Sequence, residues 1–187
     1  DMGFFDDIAK VVRQCAKDRQ TLLFSATYPE GIAKLAAQFM RSAQIVKVQA
    51  QHSAHKIRQV FYEVNENQRL DAVPKLLAHF RPERTLAFCN TKQQCRDLVA
   101  VLQAQGYSAL ALFGELEQRE RDQVLVQFAN RSCSVLVATD VASRGLDVEG
   151  LEAVINVDVT PDPEIHIHRI GRTGRGDAEG LALTLTS

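Results

Sequence analysis

The chain has 187 residues, 45% of them hydrophobic and 24% charged, which suffices for one good core or two small ones. Its formal net charge of -1 excludes a globally basic nucleic-acid binder, so any surface for RNA or DNA has to be a local stripe. No apolar run reaches membrane-spanning length, no signal-peptide pattern is present, and the four cysteines form no CxxC pair and have no histidine at zinc spacing; reduced, mostly buried thiols in a cytoplasmic protein are expected, with no metal site and no membrane partner.

Taken in chain order, apolar spacing predicts a helix over 5–16 and a short buried strand over 21–24. Pro29 suits a first helical turn and opens a helix over 29–40, followed by a strand-like stretch at 45–48. The polar run 49–56 carries two histidines, lacks periodicity and reads as a linker. Beyond it come a strand (57–64), a helix (68–79), a strand (85–89), a helix (92–104), a strand (108–112), a helix (118–129) and a strand (134–138). Two last strands, 153–157 and 181–186, flank an arginine-rich segment. Short apolar strands separated by helices mark an α/β fold whose parallel sheet is covered on both faces. The opening Asp1-Met2-Gly3-Phe4 and the stop straight after 181–186 lead us to expect a piece of a longer protein.

In such sheets ligands bind at the carboxyl ends of the strands. Ser25-Ala26-Thr27, Asn90-Thr91, Gly114 and Thr139-Asp140 each follow an expected strand and form a polar rim suited to phosphates. Helix capping competes at Thr27, Asn90 and Thr91, because Ser, Thr, Asn and Asp after a strand commonly cap the next helix. The run 139–147 combines Thr139, Asp140, Arg144, Gly145 and Asp147, more than a cap needs. The segment His168-Arg169-Ile170-Gly171-Arg172-Thr173-Gly174-Arg175 sets three arginines at i, i+3 spacing and threads two glycines between them. It reads as a polyphosphate clamp delivered on a loop, against the alternative of a solvated basic loop. No GxxxxGK[ST] phosphate loop and no paired acidic motif for Mg2+ appear. Arginines without a phosphate cradle imply a nucleotide shared with another domain, with an arginine acting as a finger on the transferring phosphoryl group.

These residues resemble the DEAD-box RNA helicases of superfamily 2 over essentially the whole chain. Ser25-Ala26-Thr27 is similar to motif III, the run 86–91 to motif IV, Gln118 with Arg121 to the QxxR motif, 137–147 to motif V, 154–158 to motif Va and 168–175 to motif VI. The run 114–123 is similar to bacterial helicases of the DbpA type, which act on ribosomal RNA through an additional RNA-binding domain. The resemblance implies a RecA-like fold: the tail of a first RecA-like domain (1–48), a linker (49–56) and a second RecA-like domain (57–187). It implies ATP as the nucleotide, with Mg2+ held mainly by the absent part of the first domain, and as partners RNA held by its sugar-phosphate backbone, the rest of the first domain and an additional C-terminal RNA-binding domain.

The implied roles are as follows. Arg172 and Arg175 are fingers toward the γ-phosphate. Gly145 and Asp147 contact the nucleotide, Asp147 through a ribose hydroxyl or else as a cap. His168 couples the domains by meeting Ser25-Ala26-Thr27, unless it is satisfied within its own domain. Arg169 shapes the site by pairing with Asp140 or Asp147. Thr139, Gly114, Gln118 and Arg121, with Asn90 or Thr91, hold RNA; alternatively Gln118 is an exposed helix residue and Arg121 pairs with Glu117. The expectation is an ATP-dependent RNA helicase whose isolated fragment is inactive. The competing readings are a non-catalytic RNA-binding or regulatory module and a DNA-directed superfamily 2 translocase.

Overall fold

The computed structural model describes residues 5–25, 30–46, 56–143, 146, 148, 150–174 and 178–187. The chain divides into two compact units, Asp1–Gln49 and Ala50–Ser187. Of the expected linker 49–56, only Lys56 lies among the described residues.

In the N-terminal unit, α1 (Phe5–Gln14) carries Asp6 and Asp7 in its first turn and Arg13 in its last, the polarity a helix dipole favours. The second helix, α2 (Glu30–Phe39), follows. Arg19 joins the two helical regions, its guanidinium donating to the Ala16 and Phe39 carbonyls at 3.2 and 3.4 Å. The strand expected at 21–24 does not form: these residues are irregular, with Leu22 66% and Phe24 89% exposed. Ile45 and Val46 are likewise irregular and exposed, so 45–46 is no strand either; 47–48 lie outside the described residues. The reason is pairing: an extended segment keeps its shape only when a neighbour takes its backbone donors and acceptors, and neither segment has a ladder partner among the described residues.

The C-terminal unit has those neighbours. Its elements are β1 (Ile57–Glu63), a 3-10 turn (Glu66–Gln68), α3 (Arg69–Phe80), β2 (Thr85–Phe88), α4 (Lys92–Ala104), β3 (Ala109–Leu112), α5 (Gln118–Ala129), β4 (Val135–Ala138), α6 (Asp140–Ser143), β5 (Ala153–Asn156), α7 (Pro163–Ile170) and β6 (Gly180–Thr186). The six strands form one sheet in the order β1-β6-β5-β2-β4-β3, every pair parallel. Alternation along each strand builds two cores. Ala87, Val135, Val137, Ile155, Leu183 and Leu185 meet α3 and α4, whereas Leu86, Phe88, Leu136, Ala138 and Val154 meet α5 and α6. Both faces are covered, so every residue of β2, β4 and β5 is buried, Thr85 and Asn156 included. The cysteines are free thiols; Cys89, Cys95 and Cys133 are buried and Cys15 is exposed. Hydrogen bonding to the Cys95 thiol, together with burial, holds the Cys89 thiol far above the usual range.

Two helices went unread in the sequence. The run starting at Asp140 forms α6, and the arginine segment is entered by α7, so it is not a pure loop. The cause of α7 is local: Asp162 accepts from the Glu164 amide at 2.9 Å, and Pro163 occupies the first helical position.

Candidate functional site

The carboxyl ends of β2, β4 and β5, adjacent in the sheet, deliver Asn90, Thr139 with Asp140, and Asp158 to one place. From above, α7 inserts Arg169, which is only 1% exposed. Its Nε and one terminal nitrogen donate to the two Asp140 carboxylate oxygens, each at 2.7 Å. Its remaining donors reach the Asp158 carbonyl at 2.7 Å and the Asn90 side-chain oxygen at 3.1 Å. The guanidinium also lies over the Phe88 ring, 5.2 Å from its centroid. Of the two partners expected for Arg169 the structure shows Asp140; Asp147 lies outside the described residues. A buried guanidinium with all these contacts cannot also meet a phosphate, so the three-arginine clamp loses one member.

Asp158 is a second junction, one that sequence reading missed. Its carboxylate accepts from the Asn90 backbone amide and from the Gln94 side chain of α4, both at 2.9 Å. Arg69 stands 3.9 Å from the same carboxylate. That buried arginine donates to the Val157 and Leu185 carbonyls at 3.0 and 3.1 Å and pairs with Glu66 at 2.7 Å, tying together the ends of β5 and β6. The rule that polar residues follow strand ends, applied to β5, would have found Asp158. Arg69 carries no such signal, because a buried arginine looks like any surface arginine in sequence.

After α7 the chain is cinched down. The buried Thr173 hydroxyl lies 2.6 Å from the Leu151 carbonyl and 3.1 Å from that of Glu152. Arg172, half-buried, donates to the Leu146 carbonyl at 2.7 Å. Gly174 sits at φ +69°, and a Cβ there would fall 2.8 Å from Ile57 Cγ1. A Cβ on Gly180 would fall 2.5 Å from the Gly174 amide nitrogen, so two glycines permit this close backbone approach. Arg175, Gly145 and Asp147 lie outside the described residues. His168, on the last turn of α7, is exposed, and its ring makes no hydrogen bond or ion pair among the described residues. Its neighbour His166 contacts Gln59 at 3.3 Å and stacks on Phe61; burial and the nearby Arg169 charge lower its pKa.

The residues expected to meet RNA spread along the same rim. Thr139 is half-buried, and its carbonyl accepts from the Ser143 amide, starting α6. Thr91 caps α4, its hydroxyl accepting from the Gln94 amide at 3.2 Å. Asn90 faces inward to Arg169 and Asp158. Gly114 follows Phe113, and a Cβ there would meet nothing closer than Val141 at 3.8 Å, so space does not demand glycine. Gln118 opens α5, exposed and bonded to Asp122 at 2.7 Å. Arg121 does not pair with Glu117; it donates to the Ala142 carbonyl at 2.7 Å and so links α5 to α6. Beside this rim Lys92 grips both Glu115 oxygens at 2.6 and 2.8 Å, and that bond holds the Glu115 carboxyl below its usual range. Of the coupling residues expected in the N-terminal unit, Ser25 is exposed and irregular, while Ala26 and Thr27 lie outside the described residues. Among the described residues no group of three or more His, Cys, Asp or Glu is placed to hold a metal, and no helix is long and apolar enough to cross a membrane.

Comparison with known proteins matches residues 68–177 to the helicase conserved C-terminal domain. The ATP-dependent RNA helicase DbpA of Escherichia coli is 47% identical over 98% of this chain and 40% of its own length. The DEAD-box ATP-dependent RNA helicase CshA of Bacillus subtilis is 42% identical over 98% of this chain and 37% of its own. Among solved structures, Saccharomyces cerevisiae Dbp5 bound to RNA and ADP BeF3 aligns with a TM-score of 0.84 at 30% identity, covering 100% of this chain and 50% of that one. A DEAD box protein from Methanococcus jannaschii aligns with a TM-score of 0.66 at 40% identity, over 98% of this chain and 50% of that one. The chain thus spans about two fifths of the length of these curated relatives. With the parallel RecA-like sheet and the matched domain on the page, the chain belongs to the DEAD-box family of superfamily 2 helicases, whose conserved C-terminal domain it carries.

Proposed function

We propose that the whole protein to which this chain belongs is an ATP-dependent RNA helicase acting on ribosomal RNA, in ribosome assembly and in the cytoplasm. The observation that carries this is the clamping of Arg169 by Asp140, Asn90 and Asp158, which makes one platform of three strand ends and leaves His168 exposed beside it. A platform of this kind serves two ligands: the rim at Gly114, Thr139, Gln118 and Thr91 for a sugar-phosphate strand, and the turn after α7 for a triphosphate. What supports a triphosphate there is the turn after α7, held by Thr173 and turned at Gly174, which carries Arg172.

ATP supplies the phosphoryl group whose transfer drives the cycle. Arg172 and Arg175 stabilise the charge that develops on it, as fingers worth about 10³ to 10⁵ in rate. Gly145 and Asp147 hold the nucleotide, and His168 meets the region of Ser25, Ala26 and Thr27 when the RecA-like domains close. The rim residues grip the RNA backbone without reading bases, so many duplexes qualify, and strands part locally because a bent strand fits the rim better than a duplex. Mg2+ is assigned to the rest of the first domain, as is the phosphate cradle, and no step here runs through either. The 187-residue chain alone is accordingly inactive.

Steady-state ATPase assays with and without RNA test this. In the whole protein, Arg175→Ala should reduce turnover about 10³-fold with a much smaller change in ATP affinity, and the isolated chain should hydrolyse nothing. Full turnover by that variant refutes the finger; hydrolysis by the isolated chain refutes the shared site. Stimulation by DNA in place of RNA would make the protein a DNA-directed translocase.

A further inference from the structure

We propose that Glu115 is a built-in competitor for the RNA strand, a role that rests on the helicase reading above: in the free chain its carboxylate occupies the Lys92 ammonium that a backbone phosphate takes over. Lys92 opens α4 directly after the Thr91 cap, and Glu115 follows Gly114 in the loop between β3 and α5, so the pair joins two loops of the proposed RNA rim. The Lys92 Nζ donates to both Glu115 oxygens, at 2.8 and 2.6 Å. What the pair does for the fold does not account for it. Helix α4 has its cap without it, and a cation in a first helical turn faces the positive end of the helix dipole. Both side chains stay open to solvent, Lys92 49% and Glu115 67% exposed, and an ion pair so exposed adds little to stability. One turn further along α4, Arg96 lies over the ring of Phe113, the residue before Gly114, 4.9 Å from its centroid. Lys92, by its hydrogen bond and charge, and then Arg96, by charge alone, keep the Glu115 carboxyl ionised at neutral pH. An ammonium is a point charge that takes carboxylate and phosphate oxygens alike. When a phosphate arrives, Lys92 exchanges one anion for another, and Glu115 turns out into water that already reaches most of it. A competitor of this kind lowers the affinity for every strand equally, without reading bases, and favours release of the strand over its retention.

The test is the affinity of the whole protein for a single-stranded oligouridylate, measured by fluorescence anisotropy at fixed salt with a non-hydrolysable ATP analogue present. Glu115→Gln should tighten it about threefold to fivefold, the worth of one exposed ion pair. Adding Lys92→Met to that variant should remove the whole gain, because the freed ammonium is what captures the phosphate. Asp97→Asn removes an exposed carboxylate of α4 that is bonded to Gln93 instead. It should change the affinity less than about 1.5-fold, which measures the general effect of charge. A pair that serves only the fold would lower the melting temperature of Glu115→Gln and leave the affinity where it was, and that result overturns the proposal. So does weaker binding by Glu115→Gln, which would mean that the carboxylate aims Lys92 at the phosphate. A gain that survives Lys92→Met, or that Asp97→Asn matches, reduces Glu115 to simple repulsion and overturns it as well. If the unmodified protein binds no RNA at all, the helicase reading fails first and takes this one with it.

Discussion

Thr21-Leu22-Leu23-Phe24 in the N-terminal unit and Thr85-Leu86-Ala87-Phe88 in the C-terminal unit are nearly the same four letters, and they meet opposite fates. Leu86 and Phe88 are buried in β2, hydrogen-bonded on one side to β4 and on the other to β5. Leu22 and Phe24 stand exposed in irregular backbone. β-propensity is therefore not the deciding quantity; a strand exists where neighbouring strands take its amides and a helix layer covers its side chains. The sharpest way to break the comparison is to truncate the two phenylalanines separately in the 187-residue chain. Phe88→Ala should cost about 3–5 kcal/mol, because it empties a packed site and strips the ring from beneath Arg169. Phe24→Ala should fall within about 0.5 kcal/mol of zero. Chemical denaturation measures both. A Phe24 cost equal to that of Phe88 would destroy the contrast.

Helix ends show the other side of the lesson, because their causes are local. Thr91 precedes α4 and its hydroxyl satisfies the Gln94 amide, a bond that needs only three residues of chain. Thr91→Ala should cost about 1 kcal/mol in the same denaturation experiment, and Thr91→Ser should recover most of it. A loss in the Ser variant equal to that in the Ala variant would mean that the methyl group, not the cap, matters there.

That division explains what could be read from the chain. The six strands of the C-terminal unit, α3, α4 and α5 were legible because apolar periodicity and burial agree there. The strands expected at 21–24 and 45–46 do not form because the pattern is present and, among the described residues, the neighbours are not. Helix α7 has a start signal in Asp162-Pro163-Glu164, but its eight residues are too few for an apolar repeat to declare it. The pairing of Arg169 with Asp140 was legible as one of two options, because a buried arginine needs a carboxylate and the chain offered two at the right ends. Asp158 was within reach of the sequence, as the polar residue after β5 at the end of the 154–158 run, whereas the burial of Arg69 depends on carbonyls 88 and 116 residues away.

The smallest effect tests whether the β1 edge is tied to α7 in the way the centre of the sheet is tied to it. His166 on α7 meets Gln59 and Phe61 of β1, and burial, with the Arg169 charge as a second cause, lowers its pKa below the ordinary value. The unfolded chain then binds a proton more readily than the folded one in the window between the folded pKa and about 6.5. Stability is thus fully present above pH 6.5 and declines as pH falls through the folded value. Because the residue is only partly buried, the decline attributable to it should be a small fraction of the total. His166→Gln removes the titrating group while keeping a partner for Gln59, so its unfolding midpoint should fall less between pH 7.5 and 5.5 than that of the unmodified chain. An equal fall would show that the ring is protonated as easily folded as unfolded, and that β1 and α7 meet there without holding each other.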